Sequence, residues 1–62
     1  MKRKTICYII EMNSSIGSLI ERLHDLGAET YAIYVGHGNM ELTVIMREDK
    51  MVEVENEMAF YI

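Results

Sequence analysis

The chain has no proline, a single cysteine and no long apolar stretch. Because Cys7 is the only thiol, the domain cannot be built on a disulfide framework, and one unpaired cysteine is typical of a reducing compartment. No stretch reaches the roughly 18 apolar residues that a membrane span requires. The apolar run after the basic residues 2–4 is broken by Glu11 and Asn13, which is not the pattern of a signal peptide. We therefore expect a cytoplasmic protein without a membrane partner.

Positive charge is also scarce, and the net charge is −4 at pH 7. A dedicated nucleic-acid binder carries a basic footprint, so we expect no nucleic-acid partner. Lys2, Arg3 and Lys4 lie together at one end, whereas acidic side chains gather in residues 48–57. We interpret the basic triplet as a solvated segment that keeps the neighbouring strand from aggregating.

With 62 residues, the chain has room for one domain, residues 1–62. A domain of this size buries only about 60% of the surface that its unfolded chain exposes, so it is marginally stable on its own. Apolar residues make up 50% of the chain, which excludes a disordered segment. Small domains without disulfides or metals often complete their core by oligomerising. We expect a homo-oligomer, a dimer or larger, or assembly on another protein.

The spacing of apolar residues changes along the chain in a definite order. Alternation predicts strands, and a repeat of three to four residues predicts helices. The two periods predict a strand at residues 5–12, a helix at 16–26, strands at 31–35 and 40–46, and a helix at 51–62. A β-α-β-β-α order predicts an α+β two-layer sandwich of the ferredoxin-like type. In it, two helices cover one face of an antiparallel sheet, and the final strand of that fold is missing.

Local signals mark the ends of the predicted helices. Asn13, Ser14 and Ser15 are candidate N-caps of the first helix, and Gly27 is placed to end it in the left-handed conformation. The last segment also fits a strand, because Val52 and Val54 alternate with glutamates. We favour a helix, since the apolar residues at 51, 54, 58 and 61 repeat at helical spacing and acidic residues precede them.

The two middle strands are predicted to form a hairpin with His37 and Gly38 as its two-residue turn. A turn of this kind requires positive φ, which accounts for glycines on both sides of His37. Gly36 then lies opposite Asn39. In this register the helix-covered face carries the apolar pairs Val35–Met40, Ile33–Leu42 and Tyr31–Val44.

The opposite sheet face is predicted to be more apolar than a solvent-facing sheet usually is. It would carry Thr5, Cys7, Ile9, Thr30, Ala32, Tyr34, Glu41, Thr43 and Ile45. We expect an interface on this face, centred on Ile9, Tyr34 and Ile45. Its predicted members are Cys7, Ile9, Ala32, Tyr34, Thr43 and Ile45. The alternative is that β-branched residues stand here only because they favour strands.

The sequence contains no recognisable catalytic or metal-binding constellation. His24, His37 and Cys7 fall on different predicted elements without the spacing of metal ligands. Cys7 lies in mid-strand without an adjacent base. Glu11 and Glu41 could meet on adjacent strands, but a catalytic pair also needs a cleft. We expect neither an enzyme nor a metal or cofactor site.

One polar segment could bind a small effector. Met12, Asn13, Ser14 and Ser15 join the first strand to the first helix, whose free amides are suited to an anion or an amino-acid carboxylate. His37, between two glycines, would add a second donor. Helix capping and turn geometry explain the same residues without a ligand. Both explanations stay open.

The chain resembles the ACT-like regulatory domains over residues 5–62. The resemblance lies in Ile9-Ile10-Glu11-Met12, in the helix at 14–26 and in Gly27-Ala28. It implies a ferredoxin-like module that binds amino acids or other small effectors between paired domains. The effector would then lie between residues 12–15 and the second strand of a neighbouring subunit. Residues 13–20 are also similar to the first helix of the arginine repressor carboxy-terminal oligomerisation domain.

Two functions follow from this reading. The first is a non-enzymatic regulatory or interaction module that self-associates through its open sheet face or edge and binds a small effector such as an amino acid. The second is a small acidic inhibitor or adaptor that acts on a larger protein. It would use the open face or the acidic segment 48–57, since opposite charges favour association.

Overall fold

The computed structural model describes residues 2–61, which form an α+β domain. The elements are β1 (Arg3–Glu11), α1 (Ile16–Asp25), β2 (Glu29–Gly36), β3 (Asn39–Arg47) and α2 (Met51–Met58), with a 3₁₀ turn at Glu48–Lys50 before α2. The predicted β-α-β-β-α order is confirmed. Of the helix predicted for residues 51–62, Ile62 lies outside the described residues. No helix within residues 2–61 has both the length and the apolar character needed to cross a membrane.

The three strands form an open antiparallel sheet in the order β1-β3-β2. The central strand β3 directs Met40, Leu42, Val44 and Met46 to one face, where all four are buried. Both helices pack on this face, with Leu19 and Leu23 from α1 and Met51, Val54 and Met58 from α2. The core is therefore a single layer of side chains between the sheet and two helices.

Helix α1 ends as its glycine predicts. Gly27 has φ of +94°, a conformation that favours glycine. Its N–H donates to the His24 carbonyl at 2.9 Å, and the Ala28 N–H donates to the Leu23 carbonyl at 3.0 Å. This pair of bonds is a Schellman motif, which satisfies the last carbonyls of the helix. The chain then turns directly into β2, with Ala28 buried.

The segment after β3 is helical, so the alternative strand is wrong. Met51, Val54 and Met58 are all buried against the sheet, as the helical spacing predicts. Val52, which a strand would place on the same face as Val54, is exposed. Glu48 and Asp49 lie in the turn that leads into α2, where carboxylates favour the helix amino end.

The hairpin contains a one-residue bulge that the sequence analysis did not predict. His37 and Gly38 have φ of +57° and +76°, and Gly36 lies opposite Asn39, so the predicted turn is confirmed. The next pair is Tyr34–Met40, which leaves Val35 as an extra residue in β2. The predicted pairs Val35–Met40, Ile33–Leu42 and Tyr31–Val44 are therefore wrong. The observed pairs are Tyr34–Met40, Ala32–Leu42 and Thr30–Val44.

The bulge exchanges the two faces of β2, because a shift of one residue reverses every side chain of a strand. Thr30, Ala32 and Tyr34 share the face of the buried β3 residues, so their predicted place on the open face is wrong. Tyr31 and Ile33 lie on the open face instead. On the covered face Thr30 contacts α1, since His24 Nε2 lies 3.1 Å from Thr30 Oγ1, whereas Ala32 is exposed.

Candidate interaction surface

The open face of the sheet exposes an apolar patch. We define the open-face patch as Cys7 and Ile9 of β1, Tyr31 and Ile33 of β2, and Thr43 and Ile45 of β3. Ile9, Tyr31 and Ile33 are 57%, 58% and 62% exposed, and Cys7 is also exposed. Four predicted interface residues, Cys7, Ile9, Thr43 and Ile45, belong to this patch, whereas Ala32 and Tyr34 do not. Tyr34 is nevertheless 63% exposed at the hairpin end of β2.

Cross-strand neighbours define the geometry of the patch. Ile9 lies opposite Glu41, which in turn lies opposite Ile33. Cys7 and Tyr31 flank Thr43 in the next row, and Cys7 Sγ lies 3.5 Å from Thr43 Oγ1. Three large apolar side chains are thus exposed around a threonine and one glutamate. Glu41 and Thr43 on the central strand thus separate Ile9 from Tyr31 and Ile33, and an interface on this face stays a prediction.

Charged side chains surround the open-face patch at both ends. At one end, Arg3 Nη1 binds Glu29 Oε1 at 2.7 Å, and Arg47 Nη2 binds Asp49 Oδ2 at 2.8 Å. At the hairpin end, the register brings Glu11 opposite Asn39, one row beyond Glu41. The strand β1 therefore begins with a cation and ends with an anion.

The two outer strands differ in how regular they are. Strand β1 pairs with β3 without interruption from Arg3 to Glu11. Strand β2 is interrupted at Val35, and the following Gly36 has φ of +97°. A bulge bends and twists a strand, which makes its edge a poor template for pairing. Strand β1 contains no bulge between Arg3 and Glu11.

The predicted effector residues meet at the hairpin end of the sheet. The Met12 N–H donates to the Gly38 carbonyl at 2.9 Å, which joins the segment after β1 to the turn that carries His37. Asn13 Oδ1 accepts from the Ser15 N–H at 2.9 Å and also from the Ser15 hydroxyl. Ser15 is the N-cap residue of α1, yet its own side chain makes no capping bond.

This arrangement bears on both explanations of the segment. The Asn13 amide group also donates to the Glu11 carbonyl at 3.4 Å, so its polar atoms are used within the loop. Ser14 and His37 are exposed. The structure therefore brings all five predicted effector residues to one end of the sheet and accounts for the Asn13 side chain by local hydrogen bonds. Effector binding itself stays a prediction.

The residues considered for chemistry are separated. Within residues 2–61, no group of three or more histidine, cysteine, aspartate or glutamate side chains could hold a metal ion. Cys7 contacts a threonine hydroxyl, and His24 contacts Thr30 on the other face of the sheet. Glu11 and Glu41 lie on adjacent strands of the open face, displaced by one row. This arrangement lacks the nucleophile–base contact that covalent catalysis needs.

Two features of the surface were not singled out from the sequence. An open groove is lined by His24, Gly27, Glu29, Thr30 and Tyr31 where α1 turns back into β2. In the sequence, only Gly27, as the predicted end of the first helix, indicated the turn at which this groove lies. On the helix side, the pKa of Tyr8 is raised above its ordinary value of 10.0, first by burial and second by the negative charge of Glu55. Glu55 of α2 therefore lies near β1.

The comparisons with known proteins identify no relative. No protein-family model, curated protein or solved structure matches the chain.

Proposed function

We propose that this protein is a non-enzymatic cytoplasmic interaction module that self-associates through the uncovered side or edge of its sheet. The observation that carries the proposal is the joint exposure of Ile9, Tyr31 and Ile33 on the open face. Leaving three large apolar side chains of one sheet face exposed to water costs free energy that a partner surface would recover, at roughly 25 cal/mol per Å² buried. A second copy of the chain is the partner always present at matching concentration.

We also propose the finer description of the fold as ferredoxin-like. The strand order β1-β3-β2 supports it, because a split β-α-β unit inserts one antiparallel strand between two parallel ones. The burial of α1 and α2 residues in one core supports it as well. In this description β1 and β2 are the parallel pair and β3 is the inserted strand.

A small effector such as an amino acid belongs to the proposal as a ligand of the hairpin end. The support is the Met12–Gly38 hydrogen bond, which joins residues 12–15 to the His37 turn. Regulation would follow if the effector also contacted a neighbouring subunit, since a ligand that binds one assembly state stabilises that state.

The second candidate is a small acidic protein that binds a larger protein. The exposed surface of α2 favours it, because Glu53 is exposed beside Val52, Glu55 is exposed on the side towards β1, and Phe60 follows at 83% exposure. A basic partner surface with an apolar centre would be complementary to this arrangement. Neutralising Glu53 and Glu55 would weaken such a complex.

Native mass spectrometry of the untagged protein, together with sedimentation over a wide concentration range, tests the proposal. We expect a discrete oligomer, and an adduct of fixed mass would identify an effector. A folded species that stays monomeric at every concentration would contradict self-association and leave the second candidate. An oligomer without an adduct would support self-association and argue against an effector that co-purifies.

A further inference from the structure

The free edge of β1 presents a regular row of main-chain bonding groups. At one end of β1 the Met12 N–H donates to Gly38, and at the other the Lys2 carbonyl accepts from the Glu48 N–H at 3.1 Å. Main-chain groups alternate in direction along a strand, so the even-numbered residues of β1 face β3. The residues that direct their N–H and C=O groups to the free edge are Arg3, Thr5, Cys7, Ile9 and Glu11.

We propose that two copies of the chain pair edge to edge through β1, antiparallel, about a two-fold axis at Cys7. The two three-stranded sheets then become one six-stranded sheet with all four helices on the same face. This inference rests on the proposed self-association and specifies its surface. It uses the edge rather than the centre of the open-face patch.

Charge complementarity selects the register. With Cys7 on the axis, Arg3 lies opposite the partner's Glu11, and by symmetry Glu11 lies opposite the partner's Arg3. A shift by two residues would place Arg3 and Glu11 opposite uncharged residues or beyond the strand end. A shift by one residue would oppose edge-facing residues to residues whose main-chain groups face β3. The Glu11 carboxylate makes no ion pair with any residue in 2–61. Arg3 binds Glu29 through one nitrogen, and a guanidinium has five N–H donors to share.

The same register also uses the main chain fully. All opposed residues have odd numbers, so each residue whose main-chain groups face the edge lies opposite a partner residue whose groups also face the edge. Two hydrogen bonds for each of the five opposed pairs amount to about ten, the source of affinity when strands join at an edge. On the helix side, Ile6 lies opposite the partner's Tyr8. Both are only half-buried in the single chain, although they adjoin the core.

The other outer strand is less suited to such pairing. The Val35 bulge and the positive φ of Gly36 interrupt β2 before its end. An extended ladder there would be shorter and twisted. Because the β1 edge is used up by one partner and the β2 edge is irregular, the assembly closes at two copies.

A charge exchange between Arg3 and Glu11 tests the register. Arg3→Glu places two carboxylates opposite each other at both ends of the ladder, and we expect dimerisation to weaken about tenfold. Glu11→Arg is expected to do the same. The double variant R3E/E11R restores opposite charges and is expected to recover the dimer, although the Arg3–Glu29 pair within each chain stays lost. Circular dichroism verifies that each variant is folded.

Two further variants separate the edge from the open face. Ile9→Pro removes an N–H that faces the edge without removing a bond to β3, so it is expected to abolish the dimer. The matched control Ile9→Thr keeps the N–H and a β-branched side chain, so we expect this variant to remain a dimer. Ile33→Lys changes an exposed residue of β2 and is also expected to retain the dimer. A short bismaleimide should join two chains through Cys7, their only thiol.

The outcomes distinguish the two proposals. An unmodified chain that is monomeric throughout overturns the proposed self-association and the edge pairing together. A dimer that ignores the charge exchange but dissociates with Ile33→Lys overturns the edge pairing alone and leaves self-association through the open face. Recovery by the double variant, with Ile33→Lys still dimeric, supports the edge register.

Discussion

Arg22 of α1 forms an ion pair with Glu57 of α2, and the same guanidinium donates a hydrogen bond to the Tyr61 hydroxyl. Glu57 is half-buried, whereas Arg22 is exposed. These contacts join α1 to α2 and to the residues that follow it. Because Tyr61 lies beyond the last turn of α2 and packs against the core, Arg22 also holds the segment that follows the helix.

Removing the Glu57 charge is expected to lower the free energy of unfolding by roughly 0.5–1 kcal/mol, the range for a partly exposed ion pair. The variant is Glu57→Gln, and urea denaturation measures the change. Glu21→Gln on the exposed side of α1 is the matched control, with a change within about 0.3 kcal/mol. If both variants lost the same free energy of unfolding, the change in net charge, and not the Arg22–Glu57 pair, would be responsible.

Two glycines of the first helical unit should respond to alanine in opposite directions. Gly27→Ala is expected to destabilise by about 1–2 kcal/mol, because the left-handed conformation disfavours a side chain. Space is not the cause, since the nearest side-chain atom to an added Cβ is Met46 Cε at 4.0 Å. Gly17→Ala, inside α1 with open space around it, is expected to stabilise by about 0.5–1 kcal/mol. Thermal unfolding measures the melting temperature of both variants. Melting temperatures that shift in the same direction would contradict the expected opposite effects.

Tyr8 should make the fold sensitive to alkaline pH. Its pKa is raised in the folded state, first by burial and then by Glu55, so the folded protein holds this proton more tightly than the unfolded chain. The stability contributed is fully present below pH 10.0 and is lost as pH rises above that value. Tyr8→Phe should reduce the alkaline loss measured by urea denaturation at increasing pH. An alkaline loss of the same size in Tyr8→Phe and in the unmodified protein would contradict this role of Tyr8.

The sequence predicted the elements well because their periods are clear. In β3, buried residues such as Leu42 and Val44 alternate with Glu41 and Thr43, so the polar side is evident. Strand β2 has no such contrast: Tyr31 and Ile33 alternate with Ala32 and Tyr34, and either face could be the buried one. A register is weakly specified when both faces are similar. The Val35 bulge could therefore not be detected from the pattern, and the faces of β2 were predicted the wrong way round.

For the candidate effector site, the sequence indicated the individual residues but not the contacts between them. The candidate N-caps Asn13 and Ser15 follow from local chemistry, and the structure adds that Asn13 bonds to Ser15. The contact between Met12 and Gly38 depends on the pairing of β1 with β3, which sequence spacing does not specify. The mixed charge of β1, with Arg3 first and Glu11 last, is visible in the sequence. Its meaning for pairing emerges only once β1 is known to be an outer strand.

The single unpaired residue in β2 makes the outer surface of this protein depend on how Val35 is paired rather than on residue type alone. If Val35 paired with Met40 instead of forming the bulge, alternation would continue up to the turn, and Ala32 and Tyr34 would replace Tyr31 and Ile33 on the uncovered side. No substitution would be needed for that exchange. One amino-acid sequence is therefore compatible with two different outer surfaces of the sheet, and the pairing of a single residue decides between them.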